Sequence, residues 1–297
     1  MDTDITIEPH VQFIKDENGL EYIEINNTLA TAKIALQGAH IMRWQPKTQK
    51  HTVLWQSSNA RFVKSRSIRG GIPLCWPWFG AHPTDSALCP HGFARVIPWE
   101  LIDADTTNNG ATRLVLQMVE TAEARRQLSY PYALTITMTI GETLRVELAT
   151  TNKANHPFTI GEAFHTYFNI SDIEKINILG LEDTLYADKV FNYERRVQNN
   201  AIQFKGEFDR VYLSTNSDCI IDDTGLNRQI RISKSHSQST VVWNPWADKA
   251  AEMGDMGAPN EWRSMLCVET ANAMENVVVI SPGKTHVMTV EYSAETL

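Results

Sequence analysis

The chain has 297 residues, 21% charged and 42% hydrophobic, a globular balance that excludes a disordered or fibrous protein. A formal net charge of −8 repels nucleic acid and anionic membranes, so neither is expected as a partner. Four cysteines without a CxxC pair exclude a disulfide scaffold and zinc-finger spacing, and no apolar run is long enough to span a bilayer.

Residues 1–4 are acidic and lack the basic-then-apolar character of a leader, so the expected compartment is the cytoplasm. Residues 66–95 carry four prolines, four glycines and two tryptophans. That is too many breakers for a strand and too many aromatics for an idle linker, and it predicts a site-building loop. Leu114, Leu116 and Met118 then alternate through a strand over 112–120, and residues 121–128 can make two helical turns. Leu134, Ile136, Met138 and Ile140 share one face and Leu144, Val146 and Leu148 repeat the period after Gly141-Glu142, which predicts a hairpin. An extended 161–170 puts Phe164, Thr166 and Phe168 on one side, and Ala163, His165 and Tyr167 on the other. A second loop, from Trp243 to Trp262, also reads as site-building, with one helical turn over 248–253. The chain closes on a predicted hairpin, with Val277 and Val279 before the Ser281-Pro282-Gly283-Lys284 turn, and Met288 and Val290 after it. Many short strands and few helices predict an all-β, large antiparallel β-sandwich, and no linker or repeat divides residues 1–297, so one domain is expected.

Several residues are candidates for chemistry, each with a plain structural alternative. His165 lies between a small residue and a tyrosine, as on a strand lining a cleft, although a satisfied histidine is common. Glu269 occupies the apolar run MLCVETA, where a carboxylate is paired, functional or reaching solvent from a strand end. Arg69, beside Gly70-Gly71, and Arg95, which an extended backbone groups with His91 and Phe93, suit an oxyanion or bridge loop carbonyls. Trp76, Trp78 and Phe79 form either a small loop core or a wall for a sugar ring. Asp209 accepts sugar hydroxyls or pairs with Arg210 or Arg228. Cys267, in its apolar run, reads as a small core residue.

The string RGGIPLCWPWFG, followed by HGFAR, GEAFHTYF, FDRVY, WNPWADKA and CVETANA, resembles the hexose-6-phosphate mutarotase branch of the aldose 1-epimerase family. The resemblance runs in order from about Arg66 to the C-terminus and implies the galactose-mutarotase-type supersandwich. It implies that His165 and Glu269 are the catalytic pair. It also implies that Arg69 and Arg95 bind sugar phosphate, with Asp209, His91 and Trp243 among the substrate-binding residues. The implied reaction interconverts the anomers of a hexose 6-phosphate, glucose 6-phosphate above all, without metal or other cofactor. A catalytically silent sugar-phosphate-binding sandwich is the alternative. For His165 to act as an acid, a nearby carboxylate must favour its charged form, with Glu269 and Asp209 as candidates. Nothing requires an oligomer, and a monomer is expected.

Overall fold

The computed structural model describes residues 10–297, so the acidic residues 1–4 lie outside the description. Strands β1 (Val11–Lys15), β2 (Glu21–Asn26), β3 (Ala30–Ala35) and β4 (His40–Pro46) pair in sequence order as an antiparallel sheet. The breaker-rich loop follows and contains only the two-residue strand β5 (Leu74–Cys75). Next come β6 (Trp99–Thr106), β7 (Thr112–Met118), helix α1 (Ala122–Gln127), β8 (Tyr132–Ile140) and β9 (Leu144–Asn152). Six short strands follow: β10 (Phe158–Ile160), β11 (Glu162–Phe164), β12 (Tyr167–Asn169), β13 (Asn177–Leu179), β14 (Leu185–Asp188) and β15 (Glu194–Val197). The last third holds β16 (Phe208–Leu213), β17 (Cys219–Asp223), β18 (Arg228–Ser235), β19 (Ser239–Asn244) and α2 (Trp246–Met253). It ends with β20 (Met265–Asn272), β21 (Val278–Ile280) and β22 (Thr285–Thr296).

Two eight-stranded antiparallel sheets make the sandwich. One runs β13-β17-β18-β22-β9-β8-β7-β6, and the other β15-β14-β16-β19-β20-β11-β5 with β12 also paired to β20. The alternation in the sequence explains the first sheet. Leu134, Ile136, Met138, Ile140, Leu144, Val146 and Leu148 are all buried, while most of the residues between them are not. Burying each large apolar side chain is worth about 1.5–3 kcal/mol. A one-residue slip would send that whole row to solvent, so the register is strongly set. The sheets meet through Phe168 on β12 against Tyr292 on β22, with ring centroids 5.6 Å apart. Trp76 Nε1 also donates to Thr150 Oγ1 on β9 at 3.0 Å.

The structure departs from the sequence reading in three places. Residues 161–170 are two strands rather than one, broken at His165 and Thr166, although His165 N–H still donates to the Pro73 carbonyl beside β5. The closing hairpin does not form, although Lys284 N does donate to Ser281 O across the turn. Instead β21 pairs with β10, and β22 pairs with β9 and β18, so the turn passes the chain between sheets. A hairpin turn and a sheet crossover present the same residues, and only the partners of the strands distinguish them. Residues 91–95 are not extended either, because Gly92 has φ 71° and Ala94–Val96 form a 3-10 turn. A Cβ at Gly92 would lie 2.0 Å from the Trp76 carbonyl oxygen, so only glycine permits that approach.

Trp76 and Trp78 settle as core residues, at 0% and 7% exposure. Trp76→Ala is expected to cost about 3–5 kcal/mol in a urea unfolding experiment, the range for deleting a large core aromatic. An unchanged midpoint would place Trp76 outside the core.

Candidate active site

The site is assembled on the middle of the second sheet. Pairing places Asp209 (β16) opposite Trp243 (β19), Trp243 opposite Cys267 (β20), and Cys267 opposite Tyr167 (β12). Directly paired residues share a face, so these four form one row across four strands. Glu269 follows Cys267 by two residues and leaves the same face. All eight residues of β20 are buried, which places a carboxylate at 1% exposure inside an apolar strand. The solvent-reaching alternative for Glu269 is therefore excluded.

His165 joins the row from the break between β11 and β12. Its ring stacks on Tyr167, with centroids 4.9 Å apart and planes 10° apart, and sits edge-on to Trp243 at 6.1 Å. Its Nε2 lies 3.3 Å from Glu269 Oε1. His165 Nδ1, Glu269 Oε2 and Asp209 Oδ1 are buried and lack any hydrogen-bond partner. Three orphaned polar atoms converging on one face are costly to a protein alone, and they fit a polyhydroxylated ligand that supplies the missing partners.

Burial sets the proton balance of the pair. It pushes the His165 imidazole well below its ordinary value, and nearby His91, Arg95 and Arg69 push it further. It pushes the Glu269 carboxyl well above the usual range, against the pull of Lys189. Burial thus favours the uncharged form of each group, so Glu269, one of the two carboxylates that could favour a charged His165, does not by itself hold the imidazole charged. That carboxylate is present, but the apolar surroundings penalise both charges more than the contact rewards them.

The rim is cationic. Lys189 Nζ pairs with Asp209 Oδ2 at 2.8 Å, so neither Arg210 nor Arg228 is the partner of Asp209. Arg210 pairs with Asp188, and Arg228 is buried against the carbonyls of His51, Thr52 and Asn169. Arg69 Nη1 donates to Tyr167 Oη at 2.8 Å, and its Nε donates to Asp255 Oδ1 at 3.1 Å. Gly70 and Gly71 have φ of 113° and 63°, and a Cβ on Gly71 would meet the Ile41 carbonyl oxygen at 2.3 Å. Arg95 Nη2 donates to the Pro90 carbonyl at 2.6 Å and, among the described residues, has no carboxylate in ion-pair reach. Its charge bears on His91, His165 and Glu269. His91 lies 5.6 Å from the His165 ring, and its Nδ1 accepts from Gly80 N–H at 3.4 Å. Its pKa falls to about 3, through burial first and then the charges of Arg95, Lys189 and Arg69.

The seven residues to which the resemblance gives a role, His165, Glu269, Arg69, Arg95, His91, Asp209 and Trp243, therefore belong to one region, while the candidates Trp76 and Trp78 are core residues. Lys189 and Asp255 were not singled out by sequence, because each is an ordinary surface residue type, although Asp255 lies within the 243–262 loop that reads as site-building. Their signal is spatial, a charge placed against Asp209 or Arg69.

The aldose 1-epimerase family profile matches residues 21–293. A protein of Escherichia coli K12, provisionally named glucose-6-phosphate 1-epimerase, is 35% identical over 90% of this chain and 88% of its own. A protein of Cenchrus ciliaris with the same provisional name is 34% identical over 93% and 85%. The crystal structure of a provisional mutarotase from Salmonella typhimurium superposes with a TM-score of 0.91 at 28% identity, covering 99% of this chain and 96% of that one. A galactose mutarotase-like protein from Lactobacillus casei shares the fold, at TM-score 0.71 and 15% identity over 92% of this chain and all (100%) of its own.

The depressed histidines fix a pH dependence. The His91 pKa is about 3 when folded and about 6.5 when unfolded. The unfolded state therefore binds more protons between those values, and stability present above pH 6.5 is lost as pH falls towards 3. The slope is up to about 1.4 kcal/mol per pH unit for one histidine. His91→Gln should flatten the pH dependence of the urea midpoint in that window; an identical slope in the variant would place the titration elsewhere.

Proposed function

We propose that this chain, which belongs to the aldose 1-epimerase family, interconverts the α and β anomers of a hexose 6-phosphate, glucose 6-phosphate above all. The observation that carries this reading is the buried His165–Glu269 contact of 3.3 Å, flanked by the orphaned Nδ1, Oε2 and Asp209 Oδ1 atoms. A phosphorylated substrate agrees with the provisional name of the relatives and with the cationic rim on an otherwise acidic chain.

Mutarotation opens a cyclic hemiacetal, rotates about C1–C2 and recloses on the other carbonyl face. It requires one acid and one base at the same time, and the pair supplies both with a single proton. Imidazolium with carboxylate and imidazole with carboxylic acid contain equal numbers of protons, so they are two tautomers of one site. In the first, Glu269 takes the proton of the anomeric hydroxyl while His165 protonates the ring oxygen. Opening leaves the second tautomer, the one that burial favours, beside the open-chain aldehyde. Closure then reverses the transfers, with Glu269 protonating the carbonyl oxygen and His165 accepting the proton of the C5 hydroxyl. The low dielectric of the site thus stabilises the intermediate's proton arrangement, and the substrate hydroxyls must supply what restores the ion pair. Each positioned acid or base contributes on the order of 10²–10⁴ to the rate.

The rim residues divide the remaining work. Asp209, held by Lys189, offers its free oxygen to a sugar hydroxyl, and Trp243 closes the apolar side of the ring. Arg95 has the guanidinium with most unused donors and is the principal phosphate ligand. Arg69 contributes charge but is also engaged with Asp255 and with Tyr167 beneath His165.

His165→Gln and Glu269→Gln should each slow anomer exchange of glucose 6-phosphate by about 10²–10⁴, measured by NMR saturation transfer, while the sugar phosphate still binds. Near-normal exchange in either variant would remove that residue from the chemistry. Arg95→Ala should raise the KM for glucose 6-phosphate about 10- to 100-fold, the worth of a charge-assisted hydrogen bond, and leave unphosphorylated glucose nearly unaffected. Arg69→Ala should impair both sugars through Tyr167. Equal losses on both sugars in Arg95→Ala would end its phosphate role.

A further inference from the structure

Cys267 is a third group beside the acid–base pair, and anomer exchange has no use for it. The ligand-forming atoms of His165, Cys267 and Glu269 all lie within 4.8 Å of one another. Two donors about 2.0–2.1 Å from a tetrahedral zinc ion are about 3.3 Å apart, and His165 Nε2 and Glu269 Oε1 stand at 3.3 Å. A sulfur about 2.3 Å from the same ion sits about 3.5–3.6 Å from its neighbours, so each Cys267 Sγ distance has at most about 1.3 Å to close. Its present polar contact is a weak one, to Met265 Sδ at 3.9 Å. Independently, Glu269 is 1% exposed and its Oε2 has no partner, a carboxylate oxygen available to a cation.

We propose that His165, Cys267 and Glu269 form a binding site for a thiophilic divalent cation of the zinc type, and that the cation inhibits the protein by occupying its acid–base pair. Imidazole nitrogen, thiolate and carboxylate are the ligand types that zinc takes, and this mixed set is soft enough to disfavour magnesium and calcium. The balance also suits the location. A neutral imidazole, a thiolate and a carboxylate bound to one Zn²⁺ give a complex of no net charge. A neutral complex neither incurs the cost of a buried ion nor meets the repulsion that Arg69, Arg95 and Lys189 would exert on a free cation. The site stands on the geometry of three side chains, whatever sugar the pocket accepts.

Cobalt(II), as a visible substitute for zinc, provides the test on the full chain carrying Cys89→Ser, which removes the exposed thiol. The expected result is a thiolate-to-cobalt charge-transfer band that zinc abolishes. Zinc should also inhibit anomer exchange in competition with glucose 6-phosphate, reversibly on chelation. Adding Cys267→Ala should remove the band and weaken zinc inhibition at least tenfold, with Cys267→Ser as the nearly isosteric control should alanine disturb folding. A missing band in the Cys89→Ser protein, or a band and zinc affinity unchanged by both Cys267 substitutions, would overturn the proposal. The band is read without any sugar, so its failure is separate from a failure of anomer exchange.

Discussion

The structure depends on keeping water away from one contact, His165 Nε2 to Glu269 Oε1. In water near pH 7 the pair would separate into a solvated carboxylate and a mostly neutral imidazole with no mutual preference. Within the sheet, burial makes both charges costly and favours the arrangement in which imidazole and carboxyl are both uncharged. The fold serves that end directly. Glu269 lies on a strand buried along all eight residues, and His165 sits at a break between two short strands, stacked on Tyr167 and edged by Trp243.

Charge around the pair is arranged in compensated couples. Lys189 with Asp209 and Arg69 with Asp255 each bring a cation and an anion to the rim, so they add little net field. Arg95 has no carboxylate partner among the described residues, and the local excess of positive charge rests largely on it. On a chain of net charge −8, this focuses attraction for an anionic substrate on one edge of the cleft while the remaining surface repels it.

Much of this was legible in the sequence, for identifiable reasons. Strict alternation in β7, β8 and β9 predicted their faces and the Gly141 turn, because a two-residue period admits one buried face. Breaker-rich loops marked the site, and the apolar company of Glu269 marked its burial. The assignment of His165 and Glu269 as partners came from the ordered family motifs, since 104 positions separate them and no periodicity links such distant residues. Three features were hidden. The β21–β22 crossover mimics a hairpin turn, Gly92 and a 3-10 turn break the extended reading of residues 91–95, and burial favours the uncharged forms of both His165 and Glu269. The last depends on the desolvation of both groups together, which requires knowing how deeply the row Asp209–Trp243–Cys267–Tyr167 is covered.

The most direct test of the central claim is anomer-exchange NMR on the wild-type protein, with glucose 6-phosphate measured beside unphosphorylated glucose and galactose under one buffer. The expected result is exchange of glucose 6-phosphate far above the spontaneous rate, with much weaker acceleration of the two neutral sugars. Exchange of glucose 6-phosphate at the spontaneous rate, with the sugar phosphate demonstrably bound, would contradict the account.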